Sequence, residues 1–221
     1  MSVAGKTVRD PSKRVTPERV RITIDGAAHP SAAPLTIALH KPRGYVTTRV
    51  DPEGRKTVYD LLGDVPSRVV PVGRLDLATS GLLLLTSDTQ LANWLTDPRS
   101  HVPRVYLVTV SGRVTEDTIA TLVEGIVIGG ERMTAAKATL RKASARESHL
   151  VITLLEGKNR EVRRLLNAVG HPVTRLRRVQ FGGLELGTLA PGGWRVIADG
   201  ELREAFPGYY TLPSRRDPRP K

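Results

Sequence analysis

The run Gly73-Arg74-Leu75-Asp76-Leu77-Ala78-Thr79-Ser80-Gly81, continued by Leu82-Leu83-Leu84-Leu85-Thr86-Ser87, constrains the fold more than any other part of the sequence. It sets one carboxylate on a tight turn, beside an arginine and directly ahead of an unbroken apolar segment. Four leucines after a glycine are too few for a helix. They fit a strand buried on both faces, which requires a layer of structure on either side.

The chain around this segment has 221 residues, enough for one large domain or two small ones sharing a core. A hydrophobic share of 39% permits such a core and argues against wholesale disorder. Lys and Arg number 34 against 22 Asp and Glu, a formal charge of +12. That excess favours a polyanionic partner, because each phosphate neutralised releases counterions. The absence of cysteine excludes disulfides, thiolate metal sites and a cysteine nucleophile. The start, Met1-Ser2-Val3-Ala4-Gly5-Lys6, has no apolar core of signal-peptide type, and no apolar stretch approaches the ~20 residues that span a bilayer. The expectation is a soluble, cytoplasmic protein with no membrane partner.

Punctuation by Gly, Pro and capping residues divides the chain into a basic arm (1–34), a main body (35–200) and a basic tail (201–221). The arm shows one strand pattern, residues 20–24, with Asp25-Gly26 as its turn. In the body, strands are predicted over 35–39, 82–85, 104–110, 134–140, 150–155, 173–181 and 194–197. Thr57 predicts a short helix to Leu62. Ser87-Asp88-Thr89-Gln90 has capping-box spacing and opens a helix to Leu95. Thr115 opens one to Glu124, ended by Gly125, and Asn159 opens one to Val169, ended by Gly170. The end of the tail, 215–221, is predicted to be disordered. Strands dominate and helices fall between them irregularly, so the fold class is α+β with a long mixed, mainly antiparallel sheet.

Several residues in this frame carry chemistry. Asp76 beside Arg74 could be an ordinary surface ion pair, and strand alternation points Arg74 away from the carboxylate's face. A nucleophilic carboxylate wants a cationic partner from elsewhere. Glu156-Gly157-Lys158-Asn159-Arg160-Glu161-Val162-Arg163-Arg164 offers one. On its helix Val162, Leu165, Leu166 and Val169 form an apolar face, while Arg160, Arg163, Arg164 and Asn167 form the opposite, basic one. Arg175, Arg177 and Arg178 make the strand around Leu176 a phosphate-contacting edge. The five histidines are far apart and show no metal-ligand spacing, so no metal site is expected.

The Gly-Arg-Leu-Asp run with its Ser/Thr, Gly, four apolar residues and Thr resembles the signature of the ribosomal-RNA pseudouridine synthases, RsuA-like branch. The Asn159-Arg160-x-Val162-Arg163-Arg164 run is similar to that family's second hallmark. His40-Lys41-Pro42-Arg43-Gly44-Tyr45 resembles its first motif, with His40 where Asn is usual. The resemblance covers about residues 35–200. It implies the pseudouridine synthase fold, a catalytic domain with helices flanking the sheet and an RNA-binding cleft, and no cofactor or metal. It implies that Asp76 is the nucleophile, that Tyr106 stacks on the target base, that Arg163 pairs with Asp76 and that Leu176 packs against the site. It places Lys41, Arg74, Arg104, Asn159, Arg160, Arg164, Arg175, Arg177 and Arg178 on the RNA side. Arg164 could equally be a structural ion pair, and Lys41 could hold the active-site loops. Arg104 stands where the family commonly has Lys.

The implied reaction is conversion of uridine to pseudouridine in ribosomal RNA, a large-subunit site being favoured, by a monomer acting on free RNA or a ribosomal particle. Residues 21–26 look like the last strand and turn of the S4 RNA-binding domain that many members carry at the N-terminus. The rivals are a tRNA pseudouridine synthase and a non-catalytic rRNA-binding or ribosome-assembly factor.

Overall fold

The computed structural model describes residues 1–10, 22–24, 26–28, 33–63, 65 and 68–212. The chain divides into two units, Met1–Pro34 and Leu35–Lys221. In the first, β1 (Ser2–Val3), β2 (Lys6–Thr7), β3 (Ile22–Ile24) and β4 (Ala27–Ala28) form a small sheet in the order β2-β1-β3-β4. The sequence reading of a strand here holds for residues 22–24; Val20 and Asp25 lie outside the described residues.

The second unit opens with β5 (Thr36–Lys41), a 3₁₀ turn (Val58–Leu61), β6 (Val70–Pro71), β7 (Ser80–Thr86), α1 (Thr89–Thr96) and a further turn (Pro98–Ser100). Then come β8 (Arg104–Ser111), α2 (Glu116–Glu124), β9 (Ile126–Ile128), β10 (Glu131–Met133), β11 (Lys137–Ala143) and β12 (Glu147–Leu154). It closes with α3 (Glu161–Ala168), β13 (Val173–Phe181), β14 (Leu184–Glu185), β15 (Trp194–Val196), α4 (Asp199–Ala205) and α5 (Pro207–Tyr210). The large sheet runs β11-β12-β8-β13-β7-β5-β15, with β14 on β13 and β6 on β7. Only the β13–β7 pairing is parallel among the described strands, so the sheet is mixed and mainly antiparallel, as the sequence predicts.

The leucine run is the centre of this architecture. Leu82 and Leu84 pack with α1, Leu202, Phe206 and Tyr209 on one face. Leu83 and Leu85 pack with Val58, Leu62, Val69 and Leu75 on the other. All four are fully buried, each worth ~1.5–3 kcal/mol of apolar transfer. A third cluster sets α2 and α3 against β8, β12 and β13 through Ile119, Leu122, Val162, Leu165 and Leu166.

The parallel pairing explains Gly81. It sits at φ +114°, opposite Arg178 in the ladder, and a Cβ there would overlap the Arg178 backbone. Only glycine lets the two strands approach at this point.

Several boundaries differ from the sequence reading, each for a local reason. Asp88, not Ser87, caps α1: its Oδ1 accepts from the amides of Gln90 and Leu91, while Ser87 Oγ accepts from Leu35 N. Asn159 does not cap α3. The helix starts one residue later, after Arg160, which adopts a left-handed conformation at φ 50°. The strand expected over 134–140 is β11, shifted to Lys137–Ala143, because the preceding residues are tied to α2 instead: Thr134 Oγ1 donates to Val123 O and Ala135 N to Leu122 O. Strand β12 starts three residues earlier than expected, because the polar Ser148 is buried and satisfied: its hydroxyl donates to Gly112 O and accepts from Val114 N. The body also extends past residue 200. Leu202, Phe206 and Tyr209 of the expected tail are buried, and Tyr209 donates to the Asp88 carboxylate. Residues 215–221, predicted to be disordered, lie outside the described residues.

Candidate active site

Asp76 sits on the loop between β6 and β7, in a turn closed by Thr79 N donating to Asp76 O at 2.9 Å. Three contacts hold this loop from outside. Gly44 N donates to Leu77 O, Thr47 Oγ1 donates to Leu75 O, and the fully buried Lys41 ammonium donates to the carbonyls of Asp76 and Thr79 at 3.0 and 2.9 Å. Burial pushes the Lys41 amine down to about 8, against the opposing pull of the Asp76 charge.

The loop forms one wall of a cavity of about 260 Å³. Tyr106 and Arg104 of β8, Leu176, Arg178 and Phe181 of β13, and residues 157–162 ahead of and within α3 supply the rest. Tyr106 pairs with Arg178 across the β8–β13 ladder, and Leu176 lies two residues along on the same face. Tyr106 and Leu176 are only 8% and 7% exposed, so ring and leucine form an apolar wall. The volume lies below the roughly 300–1,000 Å³ of pockets for drug-sized ligands and suits a single flipped base.

The side chain of Asp76 keeps 29% of its exposure, and its nearest cation is Arg160, Nη1 to Oδ2 at 3.5 Å. This corrects the expected pairing with Arg163. Arg163 instead donates to Val173 O at 3.1 Å and to Ala78 O at 3.4 Å, tying the Asp76 loop to the start of β13. Its guanidinium is held below its ordinary range, first by burial and then by Arg160, while Asp76 opposes the shift. The left-handed turn at Arg160 is what carries that side chain to the carboxylate, one helical turn ahead of Arg163.

The expected RNA-contacting residues separate into three groups. Arg74, Asn159 and Arg160 are exposed and line the cavity mouth. Arg175 and Arg177 are exposed but on the other face of β13 from Leu176. The remaining four make contacts within the fold, and two of them, Arg104 and Arg178, also line the cavity. Lys41 is enclosed by carbonyls. Arg104 is buried, donates to the carbonyls of Val102, Leu155 and Leu95, and stacks on Phe181. Arg178 is buried, donates to Leu82 O and also lies over the Phe181 ring. Arg164 pairs with Glu131 and caps Ile128 O. Lys41, Arg104 and Arg178 are buried and Arg164 is half-buried, a fate that charge counting does not reveal.

The sequence reading missed Glu161, which lines the cavity and is 3% exposed. Burial pushes its carboxyl up to about 7, reinforced by the charge of Glu156. Its place beside Val162 and four before Leu165 on the buried helix face was the available signal.

The comparisons agree with this geometry. Residues 36–168 match the family described as RNA pseudouridylate synthase, and the chain belongs to that family. It is 38% identical over 98% of its length to an uncharacterised RNA pseudouridine synthase of Aquifex aeolicus (strain VF5), covering 88% of that protein. It is 35% identical over 92% of its length to the ribosomal large subunit pseudouridine synthase B of Bacillus subtilis (strain 168), covering 84% of that protein. A solved pseudouridylate synthase superposes with a TM-score of 0.69 at 30% identity, over 93% of this chain and 87% of that one. The chain is thus an RNA pseudouridine synthase, and the mixed sheet is its family's fold.

Proposed function

We propose that the chain isomerises a uridine of large-subunit ribosomal RNA, with Asp76 as the nucleophile. The observation that carries this is the placement of a partly exposed carboxylate at a base-sized cavity whose wall is Tyr106 and Leu176. The similarity to the large subunit synthase of B. subtilis supports the substrate class.

In this reading the target uridine leaves the RNA stack and enters the cavity, its ring against Tyr106 and Leu176. The Asp76 carboxylate attacks the nucleoside, at ribose or base, and the bond from C1′ to N1 breaks. The uracil turns within the cavity, C5 bonds to C1′, and the bond between Asp76 and the nucleoside breaks to return the free carboxylate. The proton on C5 leaves and N1 takes one up, so product and substrate have the same atoms. Arg160 meets the RNA at the cavity mouth beside the carboxylate, and Arg163 holds the loop that bears it.

Tritium release from RNA carrying 5-tritiated uridine tests the reading, with protein-free rRNA, ribosomal particles and bulk tRNA in parallel. Release from rRNA or particles, abolished by Asp76→Asn with RNA affinity kept within about threefold, is expected. Release from tRNA alone would overturn the substrate assignment. Equal loss of binding and turnover in the variant would make Asp76 a structural residue.

A further inference from the structure

The arginines of β13 do not all serve one surface. Leu176 and Arg178 face the Asp76 cavity, while Arg175 and Arg177, opposite Thr109 and Leu107 in the β8 ladder, face away from it. Arg177 opens instead on a separate hollow of about 580 Å³ between the end of β5, the start of β7, the middle of β13 and the 187–191 loop. His40, Arg43, Ser80 and Thr188 share its lining, and no carboxylate does.

Arg43 and Arg177 are both exposed, and neither side chain makes a hydrogen bond or ion pair to a described residue. The charge of Arg177 opposes protonation of the buried His40. The charge of Arg43 bears on Arg163, which holds the Asp76 loop. Cations gathered in a concave site without an acid focus the field on an anion. The hollow also borders the catalytic loop directly. Thr79 lines the cavity, and the next residue, Ser80, lines the hollow. It has no aromatic platform, so its chemistry fits a phosphodiester rather than a stacked base.

We propose that this hollow is a second RNA subsite, in which Arg43 and Arg177 hold a phosphodiester of the target strand a few nucleotides from the reacting uridine. This rests on reading the chain as an RNA isomerase acting through Asp76. The strand then passes around the Asp76 loop, and the two sites together fix which nucleotide reaches the cavity.

The test is the salt dependence of RNA affinity, measured with a single-stranded uridine decamer and with protein-free large-subunit rRNA. Arg177→Gln should reduce the slope of log K against log salt by about 0.7, the value for one single-strand phosphate contact. Arg177→Lys should keep the slope. Arg141→Gln, which removes an exposed arginine of β11 away from both sites, should leave it unchanged. An unchanged slope in Arg177→Gln, or an equal drop in Arg141→Gln, would overturn the subsite. Tritium release by the native chain is read separately and decides the isomerase reading, so the two can fail independently.

Discussion

The Lys41 ammonium and Asp76 are joined by a 3.0 Å hydrogen bond in which the backbone carbonyl, not the carboxylate, is the acceptor. The same ammonium reaches the carbonyls of Thr79 and Pro42 at 2.9 and 3.1 Å. The lysine therefore fixes the turn while leaving the carboxylate free to act. The buried ammonium places its three donors on three carbonyls, so none of its N–H groups is left unsatisfied.

Replacing Lys41 with Met removes a shared donor from those three carbonyls and loosens the turn. Turnover should fall by about tenfold or more, since misplacing a reacting group is costly, while RNA affinity stays within about threefold. Single-turnover rates and binding isotherms separate the two. A fall in affinity with a shallower salt dependence would instead make Lys41 a phosphate contact.

Arg160 and Arg163 divide the work near Asp76, and their alanine variants should differ. Arg163→Ala removes the tie from α3 to Ala78 O and Val173 O and should lower kcat more than affinity. Arg160→Ala removes an exposed, 3.5 Å contact and should cost little stability, because such pairs are screened by water. Its larger effect should fall on RNA affinity. Thermal unfolding, kcat and Kd of each variant check this partition, and identical profiles would contradict it.

Glu161 makes stability depend on pH in a defined window. Its folded-state pKa of about 7 lies above its ordinary 4.5, so between these values the folded chain binds the extra proton. Stability is therefore lost as pH rises from 4.5 to 7, by up to about 3 kcal/mol from this group. Glu161→Gln keeps an acceptor for Lys158 N and should remove this share of the slope. Urea unfolding of both proteins at pH 5 and 7.5 measures the difference, and parallel curves would contradict the assignment.

Two glycines of the Asp76 loop region should respond differently to alanine. Gly81→Ala drives a Cβ into the Arg178 backbone and should cost about 3 kcal/mol or more. Gly73 also has positive φ, at 66°, but its added Cβ would meet only Thr96 Cγ2 at 3.6 Å. Gly73→Ala should cost about 1–2 kcal/mol, the left-handed penalty alone. Thermal unfolding ranks them, and a reversed order would show that the parallel β7–β13 approach is not as tight as described.

The sequence by itself determined the family, the α+β class and the identity of the central strand, because these follow from a contiguous run. Gly73 to Gly81 and the four leucines state their turn, their carboxylate and their two-sided burial locally. It also marked Asp76, Tyr106, Arg163 and Leu176 as neighbours of one site; the cavity gathers Asp76, Tyr106 and Leu176, with Arg160 in place of Arg163. It could not rank the arginines. Whether a cation meets solvent, a carboxylate or a carbonyl depends on which chain segment folds over it, and those segments are distant in sequence. Arg104 finds Leu155 O 51 residues away, and Arg178 finds Leu82 O 96 residues away. Arg160 rather than Arg163 reaches Asp76 because of one left-handed residue ahead of α3, a backbone state that tertiary packing selected against its local cost. The same limit hid the helices after residue 198, whose apolar residues are sparse until Leu202, Phe206 and Tyr209 meet α1 and β7 across the sheet.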